Sequence, residues 1–112
     1  MTAPPDTWLD LPAVADELAL PVTRVRQLLR EGRLLAVRCP DGVQRVPADF
    51  VQSGEVLKGL PGTLTLLRDH GFTDDDALRW LYTPEDTLPG TPVEALRQNR
   101  GTEVKRRAQA AG

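Results

Sequence analysis

At 112 residues, with 40% hydrophobic and 27% charged side chains and a formal net charge of −2, the chain suits one compact unit or two small subdomains and excludes a large enzyme. No apolar run approaches the roughly 18 residues of a membrane-spanning helix, and the opening MTAPPDTW has neither the basic nor the apolar segment of a secretory signal, so a cytoplasmic location is expected. One cysteine excludes an internal disulfide, and one histidine leaves no metal-ligand cluster.

The first periodic segment is WLDLPAVADELAL, Trp8 to Leu20. Leu11, Val14 and Leu18 recur at three and four residues, Asp10 is placed to cap, and Pro12 suits a first turn, so the spacing predicts a short amphipathic helix. Ala19, Leu20 and Pro21 form a tight break. A second helix, about residues 22–31, follows and is closed by Gly32 as a C′ residue.

The second helix gathers charge. Between Val22 and Val46 stand Arg24, Arg26, Arg30, Arg33, Arg38 and Arg45 against only Glu31 and Asp41, a surplus of four positive charges in a chain that is acidic overall. Val22, Val25, Leu28 and Leu29 fall within about 120° of arc, the width of a buried stripe. Thr23, Arg26, Gln27 and Arg30 occupy the opposite face, with Arg24 on its flank. Arginine can bond guanine in bidentate fashion and glutamine adenine, and both types, with threonine, meet phosphate. A basic helix with those donors exposed has the chemistry of a DNA reader.

After Gly32, Leu34 to Arg38 and Val43 to Pro47 read as strands joined through Cys39-Pro40-Asp41-Gly42, whose Asp-Gly is a strong hairpin signal. The hairpin, about residues 34–47, forms a wing that carries Arg38, Gln44 and Arg45. Helix, turn, basic helix, glycine and hairpin in that order describe a winged helix-turn-helix. The candidate DNA-binding residues are Thr23, Arg24, Arg26, Gln27, Arg30, Arg33, Arg38, Gln44 and Arg45. A short helix or turn is expected between Phe50 and Leu57, with Phe50 and Val51 packing beneath the wing.

The second half, residues 58–112, reads as a compact helical unit, distinct from the winged unit at residues 1–57. Its helices are expected at Thr63 to His70, Asp74 to Tyr82, Pro92 to Gln98, and from a Thr102 cap through GTEVKRRAQAAG, so the fold class is mainly α with a small β-hairpin. Thr73 with Asp76 and Thr91 with Glu94 have capping-box spacing. Trp80 is expected to be a core anchor. Residues 49–103 carry ten acids and five bases, so this half is expected to stand off from phosphate and to serve protein contact or stabilisation. Lys105, Arg106 and Arg107 form a basic cluster that complements the dipole of the last helix, with a second DNA contact as the alternative reading.

Catalytic chemistry has little to stand on. Cys39 reads as a chance thiol in a turn and His70 as a helix-end residue before Gly71. Asp74, Asp75 and Asp76 form the acidic first turn of a helix rather than a magnesium site, and no glycine-rich nucleotide motif occurs. No catalytic residue, metal ligand or cofactor is assigned.

The strings LPAVADELALPVTRVRQLLREGRLLAVR, LPGTLTLLRDHGF, ALRWLYTPEDTLPG and VKRRAQA together resemble an actinobacterial family of small winged helix-turn-helix DNA-binding proteins. The resemblance spans nearly the whole chain. It implies binding of double-stranded DNA by the basic helix and wing, as a transcriptional regulator or nucleoid-associated binder, with no enzyme activity and no cofactor. Pro21 stands where many such readers carry a Ser or Thr cap. Residues 72–107 also resemble the toxin-binding domain of some bacterial antitoxins, which implies, as the alternative, a repressor whose C-terminal half binds a protein toxin.

Overall fold

The computed structural model describes residues 7–88 and 90–111, so the opening residues in which no signal is read lie outside it. The chain order is β1 (Trp8–Asp10), α1 (Leu11–Leu18), α2 (Val22–Arg30), β2 (Val37–Arg38), β3 (Gln44–Pro47), a 3₁₀ turn at Ala48–Phe50, β4 (Val51–Gln52), β5 (Glu55–Val56), α3 (Leu60–Asp69), α4 (Asp74–Leu81), α5 (Pro92–Arg97) and α6 (Gly101–Ala110). The fold is mainly helical with small antiparallel sheets, a winged helix-turn-helix followed by a helical unit.

Local chemistry sets the helix-turn-helix. Asp10 caps α1 by accepting a 2.9 Å bond from the Ala13 amide. Ala19 ends it in the left-handed region at φ 54°, which lets the chain reverse within three residues and start α2 after Pro21. Pro21 contributes no side-chain cap, and its carbonyl accepts from the Arg24 amide at 3.0 Å. At the far end of α2, Gly32 takes φ +74° and Arg33 N–H reaches back 3.0 Å to Leu28 O, a Schellman closure.

The first departure from the sequence reading is at Trp8–Asp10. Beyond the cap expected at Asp10, these residues form a strand that the sequence reading does not foresee, and β1 pairs antiparallel with β3, Leu9 opposite Val46. The wing is therefore the outer part of a three-stranded sheet ordered β1-β3-β2. Leu34 and Leu35 precede β2 and are buried, so the first wing strand is shorter than expected.

The segment Phe50–Leu57, expected as a short helix or turn, instead forms a second hairpin of β4 and β5. Ser53 and Gly54 both carry positive φ, the two-residue turn geometry that matches strand twist. Phe50 and Val51 are buried as expected.

In the helical half, α3 begins three residues before the expected Thr63, and Gly62 lies inside it. Lys105 of α6 lies over that glycine, with Cε 2.8 Å from where a β-carbon on Gly62 would sit. Thr73–Asp76 and Thr91–Glu94 form complete capping boxes on α4 and α5. Thr102, by contrast, caps nothing: α6 starts at Gly101, behind Arg100, with no side-chain cap.

One apolar cluster runs from Leu11 to Ala108 and includes residues of both halves, among them Val25, Leu34, Phe50, Leu57, Leu64, Leu67, Leu81 and Leu96. Trp80 only lies against it, half-buried, in an open groove of about 510 Å³ with His70, Phe72 and Arg79. The aromatic anchor of α4's end is instead Tyr82, 4% exposed, with its ring centroid 6.3 Å from that of Phe50 and its hydroxyl donating to Asp49 Oδ2 at 2.9 Å.

Polar bonds close the seam beside the shared core. Arg97 Nη1 donates to Asp49 O at 2.8 Å and Val51 O at 3.2 Å, and Gln52 Nε2 donates to Arg97 O at 3.2 Å. Arg68 Nη1 donates to Gly32 O at 2.7 Å.

Leu64→Ala, which empties a fully buried site of α3, is expected to cost about 2–5 kcal/mol. Tyr82→Phe should cost about 0.5–1.5 kcal/mol for its bond to Asp49. Thermal melting checks both, and a Leu64→Ala protein that melts as the parent does would mean that α3 is not part of the core.

Candidate nucleic-acid interface

α2 is half sunk into the core. Val25 and Leu28 are buried and Val22 and Leu29 half-buried, which leaves Thr23, Arg24, Arg26 and Arg30 exposed on the remaining surface. Gln27 is half-buried and braces the row. It accepts from Arg24 Nη1 at 2.7 Å and donates to Glu31 Oε2 at 3.1 Å. The chain thus spends Glu31 on orienting a glutamine, and none of Arg24, Arg26, Arg30 or Arg33 forms an ion pair with a carboxylate among the described residues.

The candidates separate into groups. Arg26 shares a shallow concavity of about 350 Å³ with Arg38, Gly42, Val43 and Gln44 of the wing and with the start of α1. Arg24 and Arg33 line a different one, of about 360 Å³, on the other flank. Arg30 stands near Gly32, Arg68, Asp69 and Asp74, at the seam with the helical half.

The wing is shaped by its own charges. Cys39 O accepts from Gly42 N at 2.8 Å, closing the turn, and Cys39 N–H donates to Val43 O at 2.9 Å. Arg38 Nη1 donates to Gly42 O at 2.7 Å, and Gln44 is exposed beside it. Asp41 accepts from Val43 N at 3.0 Å and holds Arg45 by two bonds, 3.1 and 2.8 Å. Arg45, expected among the DNA contacts, is therefore occupied by a neighbour in its own turn. Its guanidinium and the Val43 amide hold the Asp41 carboxyl below the usual carboxylate range, the arginine bond being the larger cause.

Sequence reasoning missed Lys58 and Arg68. Lys58 is exposed beside Arg24 and Arg33, yet it is an isolated lysine before a Gly-Leu-Pro-Gly stretch, with no local pattern to mark it. Arg68 fixes the carbonyl at the end of α2, across 36 residues of sequence. No group of three or more His, Cys, Asp or Glu residues among those described could hold a metal ion. No described helix is long and apolar enough to cross a membrane.

Residues 2–51 match the family model described as "DNA-binding protein Rv2175c, wHTH domain", and residues 57–112 match "Rv2175c C-terminal domain of unknown function". The chain belongs to the Rv2175c family. It is 44% identical over 119 aligned residues to the DNA-binding protein Rv2175c of Mycobacterium tuberculosis, covering 96% of this chain and 82% of that protein. The NMR structure of Rv2175c superposes with a TM-score of 0.85 at 43% identity, again over 96% of this chain and 83% of the other. The expected resemblance to an actinobacterial winged helix-turn-helix family is thereby met along both halves. The segment with antitoxin-like strings falls within the family's own C-terminal domain.

The Asp41–Arg45 pair gives a pH test. A carboxyl with a depressed pKa contributes at pH above its unfolded value and loses that contribution as pH falls through its folded value. NMR titration of the Asp41 carboxyl should therefore show a midpoint below the usual range that moves up in Arg45→Ala. A midpoint indifferent to Arg45→Ala would contradict the pairing.

Proposed function

We propose that the chain binds double-stranded DNA through the outer face of α2 in the major groove, with the wing against the adjoining backbone or minor groove. The observation that carries this reading is Arg26 and Arg30 on the outer face of a helix anchored by its apolar side, with Arg24 on the flank, all exposed and unpaired with carboxylates among the described residues. A merely solvated arginine face is commonly laced to acids at three- and four-residue spacing, as Arg79 and Arg100 are here. The 44% identical relative is named as DNA-binding, which supports the same reading. We infer that the role of this chain is that of a transcriptional regulator or nucleoid-associated binder, without catalysis.

Within this reading the residues differ in task. Arg26, Gln27 and Arg30 are the candidates for base edges, and Thr23 at the start of α2 for phosphate. Arg38 and Gln44 place the wing, while Arg45 shapes it through Asp41. Residues 1–57 form the reader and residues 58–112 the support. The alternative, an antitoxin-like repressor whose helical half binds a protein, draws on the half-buried Trp80 and Phe72 in their open groove. It ranks second because its motif lies inside the family's own C-terminal domain.

Arg26→Ala and Arg30→Ala should each weaken binding to a sequence selected from a random duplex pool by about 1–3 kcal/mol, with melting unchanged. With four to six phosphate contacts, log K should fall against log salt with a slope of roughly −4 to −5. Variants that bind as the parent does, or a slope near zero, would remove α2 from the interface.

A further inference from the structure

The helical half, residues 58–112, carries eight acids and eight bases, so no net charge sets it against phosphate. Two of its bases are lysines at its edge. Lys58, just before α3, is exposed and lines one concavity with Arg24 and Arg33, floored by Leu28, Leu57 and Pro61. Lys105, exposed on α6, lies across Gly62, with Nζ 3.1 Å from where a β-carbon on that glycine would sit. Gly62 in turn borders a neighbouring concavity that contains Arg33. Arg24, Arg33, Lys58 and Lys105 thus form a stripe that leaves α2, crosses the seam and ends on the helical half.

The stripe carries net charge. None of its four cations forms an ion pair with a carboxylate among the described residues. The acid within it is Glu31, whose Oε2 accepts from Gln27. Its place matters as much as its charge. Arg24 and Arg26 lie roughly 160° apart around α2; Arg26 faces the wing and Arg24 faces Lys58. A helix in a major groove about 12 Å wide has a sugar-phosphate strand on each side. The wing lies on one flank of α2, and the stripe lies on the other.

We propose that Lys58 and Lys105, with Arg24 and Arg33, form a second phosphate-contacting surface that meets the DNA strand across the groove from the wing. The proposal rests on α2 being the groove helix. It makes the helical half part of the interface, and it revises the expectation that this half stands off from phosphate. Contacts of this kind carry no sequence information and add to affinity through counterion release.

The test compares the full-length Lys58→Ala/Lys105→Ala variant with the parent on duplexes of selected and of random sequence, over a salt series. Both sites are exposed, and melting verifies that the variant is folded. Loss of two phosphate contacts should weaken binding roughly 10- to 60-fold at about 0.1 M salt, equally for both duplexes, and make the slope shallower by about 2. Lys58→Arg/Lys105→Arg should restore both quantities. Arg79→Ala, which removes the same kind of charge from α4, should change neither.

Unchanged affinity and slope in the double alanine variant, with Arg26→Ala still damaging, would overturn the stripe and leave the α2 reading standing. If Arg26→Ala were also silent, both would fall. An arginine pair that failed to restore binding would equally overturn the stripe, since charge is what it requires.

Discussion

The structure depends on a shortage of apolar surface in its first half. Fewer than 60 residues, arranged as two helices of eight and nine residues and a sheet of short strands, bury only about 60% of their unfolded surface, less than a larger domain does, and are marginal alone. The shortage is met across the seam. Leu60, Leu64, Leu67 and Leu96 are fully or almost fully buried in the same cluster as Val25, Leu34 and Phe50, so the core that holds the buried side of α2 is shared with α3 and α5. The backbone exposed by the short strands is satisfied the same way: Arg97 donates to two carbonyls at the 3₁₀ turn and β4, and Tyr82 holds the Asp49 side chain. Unmade, those groups would each cost about 1–3 kcal/mol of desolvation.

For the interface proposed above the consequence is geometric. A helix that reads a groove must present its donors in one orientation, and α2 is held at both ends by different parts of the chain. At its start, the tight turn through Ala19 and Pro21 ties it to α1, whose own cap Asp10 belongs to the strand that pairs with the wing. At its end, Arg68 grips Gly32 O from α3, and a β-carbon on Gly32 would collide with that guanidinium. The helical half therefore fixes the C-terminal end of α2. Arg68 is held in turn by Asp74 at 3.1 Å, which gives the acidic first turn of α4 a structural task.

Signals confined to a few neighbouring residues were legible in the sequence: Asp10 before α1, Gly32 after α2, Asp41-Gly42 in the wing, and the Thr73–Asp76 and Thr91–Glu94 boxes. Each depends on atoms no more than a turn apart. The strand β1 was not legible, because three residues carry no alternation and their partner β3 lies nearly forty residues on. The β4–β5 hairpin failed for a similar reason, with two residues on each side of Ser53-Gly54. Trp80 was assigned to the core by its size, yet the α4 stripe is centred on Ala77 and Leu81. The buried aromatic is Tyr82, which follows the helix and escapes its periodicity. In the basic surface, the arginines on α2 are readable from a helical wheel, whereas Lys58 comes beside Arg24 and Arg33, and Lys105, 47 positions on, beside Gly62, only through the fold, and the acid that occupies Arg45 is evident only in the turn geometry.

The claim that most of this rests on is that the two halves are one cooperative unit, and the chain supplies a reporter for each half: Trp8 on β1 and Trp80 on α4, its two tryptophans. Equilibrium unfolding in denaturant, followed by fluorescence in Trp80→Phe and Trp8→Phe variants and by far-ultraviolet circular dichroism in each, reads both halves separately. Each variant should show its fluorescence and dichroism transitions superimposed, with the same slope for both variants. A winged half that unfolds at lower denaturant than the helical half, with separated midpoints within one variant, would contradict the account.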